Sequence, residues 1–309
     1  AFAFASELQA LRAHPRWQAE IDRDALAEYT RFGFIAAPRT IYRGILKLPA
    51  GCILTLDLPG FRQGQTPTLV ADDGLAQMIR LALDRRGLSA SRYWSLGGGQ
   101  EEGQDLRPYT GSEEDAAAEL ETLLGNTVRE HLVADVPLGA YLSGGVDSSL
   151  VVALAKQQAS VPVRTFAIGF AESQYDEAPY ARAIAKHLGT EHTEFYVTPA
   201  EAQAIIPKLP EIYDEPFADS SQIPTFLLSR LTRQHVTVTL SGDGGDELFC
   251  GYKRQMSVPR LWERVRCLPS GLRQGLAGIL VNIPAFASNA LLRSARLLKP
   301  GLLTPHAAN

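Results

Sequence analysis

Residues 138–154 carry the most restrictive pattern in the chain. An apolar run, 138–142, is followed by Ser143-Gly144-Gly145-Val146-Asp147-Ser148-Ser149 and then by a second apolar run, 150–154. The pattern predicts a strand, a glycine turn and a helix starting at Ser148. Adjacent glycines let the backbone turn tightly and approach a ligand closely. A helix start offers unpaired N–H groups and the positive end of the dipole to an anion. Hydroxyls at Ser143, Ser148 and Ser149 add donors, and Asp147 adds a carboxylate. The set suits a polyphosphate whose charge is shared with Mg2+, because amides and hydroxyls hold phosphate oxygens while a carboxylate holds the metal. A Walker-A loop is excluded because no lysine follows the glycines. A hydrolase nucleophile elbow is excluded because Tyr141, not glycine, stands two residues before Ser143. An ordinary glycine turn remains the plain alternative for the heptad alone.

Downstream, strands and helices alternate: helix 148–158, strand 163–168, helix 176–188, strand 194–197, helices 200–213 and 222–233, and strand 236–240. Such alternation implies a parallel sheet with helices on both faces, with its ligand at the carboxyl ends of the strands where the strand order switches. The last strand runs into Ser241-Gly242-Asp243-Gly244-Gly245-Asp246-Glu247, a second glycine-rich loop, now with three acids. Both loops follow strands and can open onto one crevice. Asp147 and Asp246 are candidates to bridge Mg2+ on a departing pyrophosphate, and Asp243 to act on the acceptor. Turn chemistry alone explains one such loop more readily than two.

The remaining signals set limits. A chain of 309 residues, 45% of them hydrophobic, can bury at least one core, and two domains are expected. A formal charge of -4 gives no footprint for nucleic acid. Cys52, Cys250 and Cys267 are far apart and form no Cys-x-x-Cys pair, so neither a disulfide framework nor a zinc site is expected, and a reducing cytoplasmic compartment is the default. No apolar run approaches the roughly 20 residues that cross a bilayer. The start at Ala1 and the end at Asn309 suggest a piece of a longer protein. At the amino end, a helix over 7–13 with Ser6 as its N-cap and a second over 24–32 are expected, then a turn-rich connection through 37–45 and 47–56 into a strand pair. Residues 57–92, with an amphipathic stretch at 75–83, have no firm reading. Residues 96–111 read as a linker. Ser112, with Asp115 three residues on, caps a helix whose stripe Ala117, Leu120, Leu124, Val128 and Leu132 reads as core. Beyond Lys253 the chain turns helical, most clearly over 261–268 and 272–279.

On these motifs the chain resembles the glutamine-hydrolysing asparagine synthetases (asparagine synthase B-like) within the N-type ATP pyrophosphatases. The resemblance rests on the two loops, on Ala134-Asp-Val-Pro-Leu-Gly139, and on the extension of the second loop through Leu248-Phe-Cys-Gly-Tyr252. Upstream it includes Phe4-Ala-Ser-Glu7 and Tyr42-Arg-Gly-Ile-Leu-Lys-Leu-Pro49. It implies an α/β fold: a parallel-sheet ATP pyrophosphatase (adenine nucleotide α-hydrolase-like) domain over 112–309, preceded by the C-terminal part of an Ntn-type (class II) glutaminase domain over 1–95. It implies that aspartate is amidated through a β-aspartyl adenylate, with ammonia from glutamine and with ATP and Mg2+. In that scheme Leu142, Ile168, Ser241 and Gly242 contact ATP, and residues 143–149, including Ser143, Gly144, Gly145, Asp147, Ser148 and Ser149, hold pyrophosphate. Asp147 and Asp246 hold Mg2+, Asp243 stands where many relatives have a catalytic glutamate, and Asp214-Glu215-Pro216-Phe217 with Asp219-Ser220-Ser221 lie where the acceptor binds.

The resemblance also marks departures. Ala1 is not the amino-terminal cysteine the glutaminase needs, a later phosphate-binding lysine segment does not appear, and Cys250 replaces a usual glycine. These 309 residues alone are therefore expected to release no ammonia from glutamine. His187 and His192 read as surface or packing residues. Small-molecule substrates and a homodimer are expected, without nucleic acid or membrane. The rivals are a β-lactam synthetase-like or polysaccharide-associated amide ligase and a catalytically inactive nucleotide-binding module; a tRNA-modifying pyrophosphatase fits less well.

Overall fold

The computed structural model describes residues 3–57, 88–95, 109–172 and 176–282. At the amino end lie α1 (Leu8–Arg12) and α2 (Arg23–Phe32), then the antiparallel pair β1 (Cys52–Leu56) and β2 (Leu88–Arg92). Ser6 does not cap α1: the N-cap is Glu7, which makes no side-chain cap bond. For α2 the Asp22 carboxylate accepts from Asp24 and Ala25 N–H, and Gly33, at φ 82, closes the other end. The turn-rich connection through 37–45 carries an isolated bridge, Arg39 to Leu46, and leads into β1, whose partner is β2. Ala25, Ile35 and Ile41 form a small core there, with Leu8, Tyr29 and Tyr42 packed against it. The stretch at 75–83 and linker residues 96–108 lie outside the described residues.

Ser112 opens α3 (Glu113–His131) with a reciprocal capping box: the Asp115 N–H donates to Ser112 Oγ at 3.1 Å, and the Ser112 N–H to Asp115 Oδ2 at 3.3 Å. The next elements are β3 (Leu138–Tyr141), α4 (Val146–Gln158), β4 (Arg164–Phe170), α5 (Ala178–Leu188) and β5 (Glu191–Val197). After them come α6 (Pro199–Gln203), a 3-10 turn (Ile206–Lys208), α7 (Leu209–Ile212), α8 (Gln222–Thr232) and β6 (Val238–Leu240). The strands form one parallel sheet in the order β5-β4-β3-β6. From β3 the chain lays β4 and β5 outward, then returns to the other side of β3 for β6.

β4 explains why the sheet holds. Thr165, Phe166 and Ala167 are all buried, as an internal strand covered on both faces requires. Side chains alternate between the faces. On one face Ala140, Leu142 and Ala167 meet Val152 of α4 and Ala181 and Ala185 of α5. On the other, Ile168 and Phe170 pack with Val197, Ile205 and Leu227. The stripe on α3 meets Leu154, Ala155 and Val163 through Leu124, Val128 and Leu132.

By its internal contacts the chain divides into two units, 1–242 and 243–309. In the second, α9 (Gly245–Phe249) is followed by α10 (Lys253–Val265) and α11 (Ser270–Asn282). Gly244 (φ 93) and Cys250 (φ 57) flank α9, both left-handed. Cys250 is the one non-glycine residue with positive φ among the described residues, in a conformation that glycine adopts more readily. Among the described residues no helix is long and apolar enough to cross a membrane.

Candidate active site at the switch in strand order

Helix α4 starts at Val146, two residues before Ser148, because Gly145 takes the N-cap position in an extended conformation. Glycine has no side chain to cap with, and no side-chain cap bond is made there. The N–H groups of the first turn are left for another partner. Gly144, at φ 84, makes the turn. Ser148 is buried, and its Oγ ties the loop from inside, accepting from the Ser143 N–H at 3.2 Å and pairing with Ser143 Oγ at 2.9 Å. Ser149 Oγ donates to the Gly145 carbonyl at 2.6 Å. The serines thus shape the loop around open main-chain donors.

Gly242, two residues after β6, reaches this helix start. A Cβ placed on Gly242 would stand 2.6 Å from Ser148 N and 3.1 Å from Asp147 Cβ. The carboxyl ends of β3 and β6, neighbours in the sheet, bring the loop at Ser143 and the Ser241-Gly242 pair to one place, where the strand order reverses. Asp147 lies half-buried in the first turn of α4.

Of the residues singled out from sequence, the structure brings Ser143, Gly144, Gly145, Asp147, Ser148 and Ser149 together with Gly242, and Ser241 precedes it in the chain. Leu142 has a different position: it is 1% exposed in the sheet core, and its N–H donates to the Phe166 carbonyl at 2.9 Å. Ile168, near the end of β4, packs on the opposite face with the α8 cluster. Asp243 and Asp246 belong to the second unit, where a Cβ on Gly251 would collide with Asp246 Oδ1 and Tyr252 Oη donates to Glu247 Oε1 at 2.6 Å.

Two contributors escaped the sequence reading. Tyr180, in the first turn of α5, backs onto Gly144, where an added Cβ would meet Tyr180 Cβ at 2.7 Å. Asp176 Oδ1 accepts from Phe170 N–H at 3.4 Å and Ala178 N–H at 3.2 Å, joining the end of β4 to the start of α5. An aspartate two residues before Ala178-Pro179 was the signal available for it.

The loop after α7 is closed on itself. Tyr213 Oη donates to the Gln222 carbonyl at 2.9 Å, the Tyr213 and Phe217 rings meet edge to face at 4.8 Å, and the Ser221 N–H donates to Asp219 Oδ1 at 2.8 Å. Burial, then the nearby Asp219, raises the Tyr213 phenol above its ordinary pKa, which keeps it a donor. Asp214 and Glu215 turn away to bind the amino-terminal segment. Among the described residues no group of three or more His, Cys, Asp or Glu side chains could enclose a metal ion.

Residues 119–308 match the family model described as Asparagine synthase, and residues 1–66 match that described as Glutamine amidotransferase domain. A Methanocaldococcus jannaschii protein with the provisional name asparagine synthetase (glutamine-hydrolyzing) 2 is 34% identical over 88% of this chain and 47% of its own length. Asparagine synthetase (glutamine-hydrolyzing) 1 of Bacillus subtilis is 29% identical over 91% of this chain and 39% of its own. The Escherichia coli asparagine synthetase B is 36% identical over 43% of this chain and 27% of its own. The chain spans about half the length, or less, of these curated relatives.

Proposed function

The chain belongs to the asparagine synthase family, and on that footing we propose that it carries the synthetase centre of an enzyme that amidates aspartate, using ATP and ammonia drawn from glutamine. The observation that carries the reading is the uncapped amino end of α4 beneath Gly242, an anion cradle made of main-chain donors at the switch point of a parallel sheet. In the first step an oxygen of aspartate's side-chain carboxylate bonds to the α-phosphorus and the bond to pyrophosphate breaks. In the second, the ammonia nitrogen bonds to the acyl carbon, loses a proton, and AMP leaves. The first turn of α4 would hold the departing pyrophosphate through its N–H groups and through Ser143 and Ser149.

The donor set around this turn suits Mg2+ carried largely by phosphate oxygens and water, which needs only one or two carboxylates and no all-protein cage. Asp147, half-buried in that turn, would hold it, and Asp246 is the second ligand in this reading. When bound, the ion neutralises charge on the pyrophosphate. Asp243 is the group assigned to the acceptor and the incoming ammonia. The glutaminase part supplies ammonia, and a homodimer in the cytoplasm completes the proposal.

The test is exchange of labelled pyrophosphate into ATP by the full-length protein. Exchange that requires both aspartate and Mg2+ is expected. Exchange driven instead by a different carboxylate would assign the centre to another amide ligase, and its absence under all conditions would leave only nucleotide binding.

A further inference from the structure

Helix α1 lacks a cap of its own, and its cap comes from the synthetase half. The Leu8 N–H donates to Asp214 Oδ2 and the Gln9 N–H to Asp214 Oδ1 at 3.1 Å. The next residue, Glu215, accepts the Ile41 N–H at 3.1 Å and pairs with Lys47, whose ammonium also donates to the Ile35 carbonyl at 2.7 Å. The Gln9 amide donates to the Glu211 carbonyl at 2.6 Å, and the Ala218 N–H to the Gly33 carbonyl at 2.6 Å. One short stretch, 211–218, therefore holds three separate pieces of the amino-terminal segment. Both acids are partly buried, where unpaired carboxylates would be costly.

The same stretch is anchored to the sheet. Tyr213 and Phe217 close its loop onto Gln222 at the start of α8, and Ile212, Ile223 and Phe226 pack in the cluster that includes Ile168 near the end of β4. Contacts run without a break from α1 to the strand end beside the candidate site.

We infer that Asp214 and Glu215 are positioning residues that latch the amino-terminal, glutaminase-type segment onto the loop preceding Asp219, Ser220 and Ser221, and so couple ammonia supply to amide synthesis. This rests on the function proposed above. It reassigns these two carboxylates from the acceptor pocket to the junction between the two halves of the reaction.

The test compares Asp214→Ala and Lys47→Met with wild type in the full-length enzyme. Amide formed per glutamine hydrolysed, relative to synthesis from free ammonia, is expected to fall by about fivefold or more in both. Deuterium exchange in a peptide covering residues 8–12 is expected to quicken about tenfold in Asp214→Ala. Lys47→Met lies outside the synthetase sheet and keeps the test open if Asp214→Ala folds poorly. The inference is overturned if the ratio is unchanged in both variants, or if glutamine- and ammonia-dependent rates fall together with a raised KM for aspartate. Should wild type make no amide even from ammonia, it is the functional reading that fails, and unchanged exchange at 8–12 in Asp214→Ala then removes the latch as well.

Discussion

Gly242 lies flat against the amino end of α4, so that a methyl carbon on it would stand 2.6 Å from the backbone nitrogen of Ser148. Neither partner can swing aside, because both are main chain. Gly242→Ala must push residue 242 off the helix start. A displacement of this kind at the proposed phosphate cradle is expected to lower pyrophosphate exchange by about 100-fold. Overpacking should cost only about 1–3 kcal/mol of stability. Exchange assays beside denaturant titration measure the two effects; loss of activity without loss of fold is the expected pattern.

Gly144 and Gly189 separate strain from crowding. Both have positive φ, 84 and 66, but a Cβ on Gly144 meets Tyr180 Cβ at 2.7 Å, whereas one on Gly189 meets nothing within 4 Å. Gly189→Ala should cost about 1–2 kcal/mol, the left-handed penalty alone. Gly144→Ala should cost that and about 1–3 kcal/mol more. Equal midpoint shifts in urea would contradict the packing of α5 on the loop.

His192 gives the fold an acid limit. Its Nδ1 lies 2.9 Å from Thr165 Oγ1, while its buried Nε2 has no hydrogen-bond partner and stands 3.6 Å from Glu194 Oε1. Burial lowers the imidazole's pKa below its ordinary 6.5; Glu194 opposes this and Arg182 adds to it. The unfolded chain then takes up a proton that the folded chain does not, so stability falls as pH drops from 6.5 toward the folded value. The slope for one proton is at most about 1.4 kcal/mol per pH unit. Glu194, held below its ordinary 4.5 chiefly by its hydrogen bonds from Arg182, loses its contribution only in a lower window. His192→Asn should flatten the stability profile just below pH 6.5; an unaltered slope would assign the acid limit elsewhere.

Gly251→Ala probes Asp246 without touching it. The added Cβ would collide with Asp246 Oδ1 and stand 2.8 Å from Asp246 Cγ and 3.2 Å from Asp246 Cα, so the carboxylate must rotate and the start of α9 must give by a few tenths of an ångström. The Mg2+ concentration for half-maximal activity should rise by about tenfold at an almost unchanged melting temperature. An unshifted magnesium titration would rule out the ligand role proposed for Asp246.

What could be read in the sequence was what is decided locally. Ser112 and Asp115 sit three residues apart and cap each other, and the loop at Ser143 lies between two apolar runs. Boundaries slipped where the deciding partner is elsewhere. β5 begins at Glu191, earlier than its apolar part, because Glu191, His192 and Glu194 look polar until Arg164, Thr165 and Arg182 are set beside them. The helix expected over 200–213 breaks into three pieces, with Pro207 and Pro210 each in the first turn of a new one. Leu142 was legible as a strand end, but its burial depends on Val152, Ala181 and Ala185 in helices not yet formed when the strand is read. The partners of Asp214 and Glu215 could not be guessed at all, since acids beside a presumed pocket and acids across a junction look alike in sequence.

The cap on α1 also sets an order of events. A helix of five residues is far shorter than the roughly 12–15 that persist unaided in water. Its capping carboxylate is 206 residues downstream of Leu8. During translation at about 5–20 residues per second, α1 waits roughly 10–40 s after leaving the ribosome for Asp214 to be made. A segment made early is completed late, by a carboxylate 206 residues further along the chain.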